Sequence, residues 1–158
     1  MNPRINYNQL SPELVKKVFE LSQQSAHGSL SATLLDLVHI RASQMNGCAF
    51  CLDMHVKEAK IHGERELRLY HVSIWRESPL FSDKERAALE WTEAVTKLSA
   101  PIPDCLYDQV RAHFSEKEMS ELTIAIGIIN LWNRLNVSAK TTPGSFDTLL
   151  GLTKAGLN

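Results

Sequence analysis

The chain has 158 residues, of which 44% are hydrophobic and 22% charged, with a formal net charge of −1 and a pI near 6.6. This length suits one domain, able to bury enough apolar surface without staples. Arg65, Arg68, Lys84 and Arg86 alternate with Glu66, Asp83 and Glu85, which excludes the basic footprint of a nucleic-acid-binding protein, and no stretch approaches the ~18 consecutive apolar residues of a membrane span.

In chain order, Ser11-Pro12-Glu13 sets a cap residue before a proline at the first helical position, then an acid that the helix dipole favours. Leu14, Val15, Val18, Phe19 and Leu21 follow at helical spacing, and His27-Gly28 ends that helix. Ser31 caps a second helix running through Leu34, Leu35, Leu37, Val38 and Ile40 to the stop signal Asn46-Gly47. A third starts at Gly47 and carries Cys48, Cys51 and His55 to about Ile61, before His62-Gly63. A fourth spans Glu64 to Glu77 ahead of Ser78-Pro79, and Ser82-Asp83-Lys84-Glu85 is a capping box for a fifth. A sixth lies at about Asp104 to Phe114, and a second capping box, Ser115-Glu116-Lys117-Glu118, opens a long apolar helix to about Lys140. Thr141-Thr142-Pro143-Gly144 is a break, after which the tail docks or frays. The expectation is a bundle of about seven helices, with no segment showing the alternation of a strand.

The segment that carries chemistry is Cys48-x-x-Cys51-x-x-x-His55. On a helix, Cys51 and His55 are neighbours one turn apart, and Cys48 lies two turns from His55 on the same side. Both thiols fall in the first turn, where free N–H groups and the dipole stabilise a thiolate. Two cysteines at this spacing can resolve a sulfenic acid or mixed disulfide into an intramolecular disulfide. Asp36, twelve residues before Cys48, approaches His55 if the Asn46-Gly47 turn folds the two helices into an antiparallel hairpin. A carboxylate there would orient the imidazole and raise its basicity. The N-terminus, with no apolar signal core, and three cysteines, two of them three apart, fit a cytoplasmic, reducing setting in which the pair is redox-active or metal-binding.

Structural readings of the same residues stand beside this one. Cys48, Cys51 and His55 could supply three zinc ligands, with His39, His62 or Cys105 as a fourth, although no second Cys/His cluster sits at zinc-finger spacing. The cysteines could be inert core residues and His55 a satisfied interior histidine. Cys105 reads as a structural or surface thiol, His39 and His62 as helix-surface or helix-end residues, and Trp75, Trp91 and Trp132 as core or subunit packing. Ser43 and Gln44 stand near the start of the active helix and could line a pocket. No phosphate-binding loop, dinucleotide motif or nucleophile elbow is present, and no prosthetic group or metal is expected.

The stretch from Leu35-Asp36-Leu37 through Arg41-Ala42-Ser43-Gln44-Met45-Asn46-Gly47 to Cys48-Ala49-Phe50-Cys51-Leu52-Asp53-Met54-His55 resembles the core motif of the alkylhydroperoxidase D-like (AhpD-like) proteins of the carboxymuconolactone decarboxylase superfamily. The resemblance continues in Trp75-Arg76-Glu77, in Phe81-Ser82-Asp83-Lys84-Glu85 and in Asn130-Leu131-Trp132-Asn133-Arg134-Leu135, and covers most of the chain, implying one all-α domain over residues 1–158 with its core at about 12–140. It implies an all-α fold assembling as trimers or hexamers, and reduction of small hydroperoxides with recycling by an external thiol reductant. It further implies that Cys51 attacks the peroxide, Cys48 resolves, His55 relays protons and Asp36 stands where the family carries a glutamate. Asp36 is one methylene shorter than that glutamate, and Phe50 replaces a histidine found between the cysteines in one branch. The decarboxylase branch generally lacks the cysteine pair. The other functions in view are a redox sensor, a general disulfide reductase and a zinc-stabilised helical interaction module.

Overall fold

The computed structural model describes residues 4–157. Among them the elements run α1 (Tyr7–Leu10), α2 (Pro12–Ala26), α3 (Ala32–Met45), α4 (Ala49–Ile61), α5 (Glu66–His71), α6 (Asp83–Lys97), α7 (Asp104–Arg111), α8 (Glu116–Ala139) and α9 (Asp147–Leu150). Short 3₁₀ segments cover Val72–Glu77 and Leu152–Ala155, and the described residues contain no strand. The seven expected helices are all present. Two four-residue helices, α1 and α9, are additional.

Three of the four predicted caps form, while Ser11 occupies the N-cap position of α2 without a side-chain hydrogen bond. Ser31 Oγ accepts from the Leu34 amide. Ser82 with Glu85, and Ser115 with Glu118, close complete capping boxes at the starts of α6 and α8. The fourth expected helix is not continuous: α5 gives way to 3₁₀ geometry, with Ile74 at φ −120°, ψ 27°. The break turns Trp75 inward, where it is buried and donates from Nε1 to Glu93 at 2.8 Å.

α3 is the axis of the fold. Leu34, Leu35, Leu37, Val38, Ile40 and Ala42 are all buried, so the helix is apolar on more than one face and must be surrounded. α4, α6 and α8 pack around it. One core gathers Leu35, Val38, Trp91, Leu122 and Ile126; a second gathers Leu37, Ile40, Leu69, Trp75 and Leu89. A third, smaller cluster joins Ala42 of α3 and Ile129 of α8 to Cys48, Phe50 and Cys51. The tail docks: the segment after α8 folds back along α4 and buries Leu152 there.

Candidate active site

The site begins at the turn between α3 and α4. Gly47 adopts φ +63°, a left-handed conformation that glycine enters without a Cβ penalty, and the chain reverses there. Asn46 holds the turn from the side: its Nδ2 donates to Asn130 Oδ1 and to Asn133 Oδ1, both at 2.9 Å. Asn133, fully buried, donates in turn to Ser43 Oγ at 3.1 Å, and Asn130 donates to Thr96 Oγ1 at 2.9 Å. A buried amide is costly unless it is satisfied, and here each amide partner is another element of the site. α8 thereby fixes where α4 begins.

Cys48 is the N-cap of α4, and its Sγ accepts from the Cys51 amide at 3.3 Å. The sulfur occupies the place a serine oxygen takes in an ordinary cap. Cys51 lies in the first turn, and the two sulfurs are joined as a disulfide, with Cα atoms 5.4 Å apart. Both residues are almost sealed, Cys48 at 2% and Cys51 at 1% exposure. Cys105 is free and exposed, in accord with a surface thiol.

His55 follows one turn along α4 and is buried. Asp36, expected to approach and orient His55, pairs with a different ring. His55 Nδ1 pairs with Glu58 Oε2 at 2.6 Å, while Asp36 Oδ2 pairs with His62 Nδ1 at 2.7 Å. The reason is local: Glu58 stands three residues after His55 on the same helix face, whereas Asp36 lies on α3 within reach of the C-cap of α4, which is His62. Burial pushes the Glu58 carboxyl up, but the hydrogen bond and charge of His55 outweigh it and hold the group below its ordinary value. Asp36 moves the other way: its burial prevails over the hydrogen bond and charge of His62, and its carboxyl is raised.

An ionised Glu58 is acceptor only, so the proton of a neutral His55 belongs on Nδ1. Its Nε2 is then a bare lone pair, and it is buried with no hydrogen-bond partner among the described residues. His39, expected at the helix surface, is instead partly buried and packs its ring against His55, centroids 4.6 Å apart. Burial, with the charge of His55 second, holds its imidazole well below the ordinary value. His62 does lie at a helix end, exposed. No group of three or more His, Cys, Asp or Glu among the described residues is arranged to hold a metal ion.

The surroundings of the cysteines are apolar. Met54, Trp132 and Phe146 pack against the cluster that contains them. Phe146 comes from the docked tail, its ring edge-on to Phe50 at 5.6 Å. Trp75 and Trp91 are core residues, as read from the sequence, while Trp132 donates from Nε1 to Ser22 Oγ at 2.9 Å. Glu58, the asparagine network and Phe146 are the site features that pattern reading passes over. Glu58 left a signal in its three-residue offset from His55, and the asparagines one in the Asn46-Gly47 stop and the Asn130–Asn133 stretch of the family resemblance.

The fold and site together define an all-helical protein with a cysteine pair at a helix start and an imidazole–carboxylate pair one turn on. The chain belongs to the carboxymuconolactone decarboxylase family, whose model matches residues 12–94, and its fold is AhpD-like. It is 40% identical over 139 residues to the uncharacterized protein YdfG of Bacillus subtilis strain 168, covering 87% of this chain and 95% of that one. The crystal structure of a protein of unknown function from Agrobacterium tumefaciens, a candidate antioxidant-defence protein AhpD, superposes with a TM-score of 0.87 at 43% identity. That match covers 90% of this chain and 98% of the other. The debrominase Bmp8 shares the fold at 18% identity and a TM-score of 0.79, over 93% of this chain and 79% of its own. No helix among the described residues is long and apolar enough to cross a membrane.

Proposed function

We propose that the chain is a thiol-dependent peroxidase that reduces small organic hydroperoxides through a Cys48/Cys51 dithiol–disulfide cycle. The observation that carries this reading is the sulfur pair at the start of α4, bonded to each other and sealed beside an imidazole whose Nε2 has no partner among the described residues. The likeness to the Agrobacterium antioxidant-defence candidate supports it.

His55 Nε2 takes the Cys51 proton, and the Cys51 thiolate attacks the terminal peroxide oxygen. An S–O bond forms, the O–O bond breaks, and the alkoxide leaves with a proton returned by His55 as the alcohol. Cys51 is now a sulfenic acid. Cys48, its thiolate favoured by the Cys51 amide at the helix cap, attacks Cys51 Sγ, releasing water and forming the disulfide. An external thiol reductant restores both thiols with two electrons and two protons. Such a cycle belongs in a reducing compartment, the cytoplasm. Glu58 positions His55, and Asp36 acts a step further out, through His62 and through its charge on His55. The active form is a homo-oligomer, a trimer or a hexamer built from trimers.

Titration of the reduced protein with cumene hydroperoxide, followed by peptide mass spectrometry, tests the cycle. The expected result is a fast loss of two hydrogens mapped to Cys48–Cys51 with Cys105 still free, and no turnover in Cys51→Ser. Thiols that stay reduced would remove the peroxidase reading. Disulfide formation without catalytic turnover under any reductant would favour a redox switch. Glu58→Gln should lower kcat/KM about tenfold or more and displace the acid limb of the pH profile, as removal of a residue that orients a functional imidazole does. Asp36→Asn should do less. The reverse order would return the orienting role to Asp36.

A further inference from the structure

Chain from beyond α8 packs on the cluster that contains both cysteines, and its attachment to α4 has a defined latch. Lys57, one turn past Asp53 on α4, is buried, with its side chain 8% exposed. Its Nζ donates to Asp53 Oδ2 at 2.8 Å and to Asp147 Oδ2 at 2.6 Å. The Gly144 amide donates to the same Asp53 oxygen at 3.0 Å. Two residues of the tail, Gly144 and Asp147, are thus pinned to two residues of α4. Between the two pins stands Phe146, packed on Phe50 and on the cluster that holds both sulfurs. Leu152, 4% exposed, anchors the far end of the segment, which lies on α4.

A buried cation shared by two carboxylates adds little net stability but fixes register, because desolvation offsets most of the Coulomb gain. Removing one carboxylate would leave the buried Lys57 charge underpaired, so the latch both sets Phe146 against the cysteine cluster and holds the segment down. The carboxylates outweigh burial and raise the Lys57 ammonium above its ordinary value, so it stays charged. The side chains packed around the cysteines from outside their own cluster, Met54, Trp132 and Phe146, offer a peroxide substituent apolar surface.

We propose that residues 144–152 form the roof of the substrate pocket, and that Phe146, with Phe50, Met54 and Trp132, selects hydroperoxides carrying an apolar alkyl or aryl group. The specificity half rests on the peroxidase reading of the same site. The roof itself does not.

The test uses full-length reduced protein and two readouts. The first is the rate at which iodoacetamide modifies Cys48 and Cys51, with exposed Cys105 in the same molecule as reference. Asp147→Asn and Phe146→Ala should each raise that relative rate about tenfold by populating the open segment. The second is the ratio of kcat/KM for cumene hydroperoxide to that for hydrogen peroxide. Phe146→Ala should lower this ratio about tenfold, the scale of one lost apolar contact surface in a pocket. Phe146→Leu keeps an apolar side chain and covers the case in which the alanine variant fails to fold; it should shift both readouts in the same direction by less. Unchanged alkylation in folded Asp147→Asn and Phe146→Leu overturns the roof. Raised alkylation with an unchanged substrate ratio overturns the selection by Phe146. Raised alkylation with no turnover of any hydroperoxide supports the roof and removes the peroxidase reading instead.

Discussion

His39 and His55 stack with centroids 4.6 Å apart, and the pair cannot carry two charges without mutual repulsion. Burial already disfavours the imidazolium of His39, and the His55 charge adds to it. The consequence for stability has a definite sign. With the folded value depressed, the unfolded chain binds a proton at His39 before the folded chain does. Stability from this residue is therefore full above the unfolded value, near pH 6.5, and falls as pH drops toward the folded value. Between pH 7 and pH 5 the wild type should lose up to about 2 kcal/mol more than His39→Gln. Urea unfolding of both proteins at the two pH values measures this, and equal losses would mean that His39 is protonated without cost. The cysteine–histidine core was legible in the sequence because its spacing is helical and short. The partner of His55 was not. A carboxylate three residues past a histidine is common on any helix, and Asp36 stood at a position that the family resemblance already marked. Which carboxylate reaches which ring depends on how α3 lies beside α4, and side-chain spacing along one helix does not encode that.

The start of α4 is an element-scale device, since three asparagines, one from the α3–α4 turn and two from α8, decide where the cysteines sit. Asn133 is the deepest of them. It accepts from Asn46 and donates to Ser43 while fully buried. Asn133→Ala leaves the Ser43 hydroxyl and one Asn46 contact without a partner and opens a small cavity, so it should cost about 2–3 kcal/mol. Asn136→Ala on the same helix is the control. Among the described residues the Asn136 side chain bonds only the Trp132 carbonyl within its own helix, and its loss should stay within about 0.5 kcal/mol. Chemical denaturation of the two variants decides it, and equal effects would show that the network has no special part in stability. Chain breaks were easy to read at this scale. The Asn46-Gly47 turn, the two capping boxes and the break at Pro143-Gly144 all fell where local chemistry places them. The docked tail was not readable, because Asp147 reaches Lys57 across 90 residues of chain, and α9 alone is too short to show a period. The continuous fourth helix was misread for a related reason. Residues 64–77 keep helical spacing, but the packing of Trp75 breaks them at Ile74.

For the molecule as a whole, exposed apolar side chains lie on most elements, and two groups of them line up. On α2, which buries no residue, Leu14 and Leu21 are exposed at 68% and 47%. With Val18 between them they fall within about 60° of one another at 100° per residue. Ser22, which accepts from Trp132 of α8, lies about 40° from Val18 on the same count, so the stripe borders the face that α2 sets against α8. A second stripe joins Leu67, Tyr70 and Ile74, all more than half exposed. A monomer with two such ordered stripes is unusual, because contiguous exposed apolar patches mark interaction surfaces. Two different stripes on one chain are what a heterologous contact needs, and a heterologous contact that closes gives a ring. This is the physical content of the expected trimer. Sedimentation at micromolar concentration should give a mass that is a multiple of 17.8 kDa, with three as the smallest. Leu21→Glu places a charge in the stripe while leaving the buried core untouched, so the variant should fold within about 0.5 kcal/mol of the wild type yet sediment as a smaller species. A wild type that sediments at 17.8 kDa would assign both stripes to solvent. An assembled Leu21→Glu protein would instead place the contact on the stripe formed by Leu67, Tyr70 and Ile74, where Tyr70→Glu would then dissociate it.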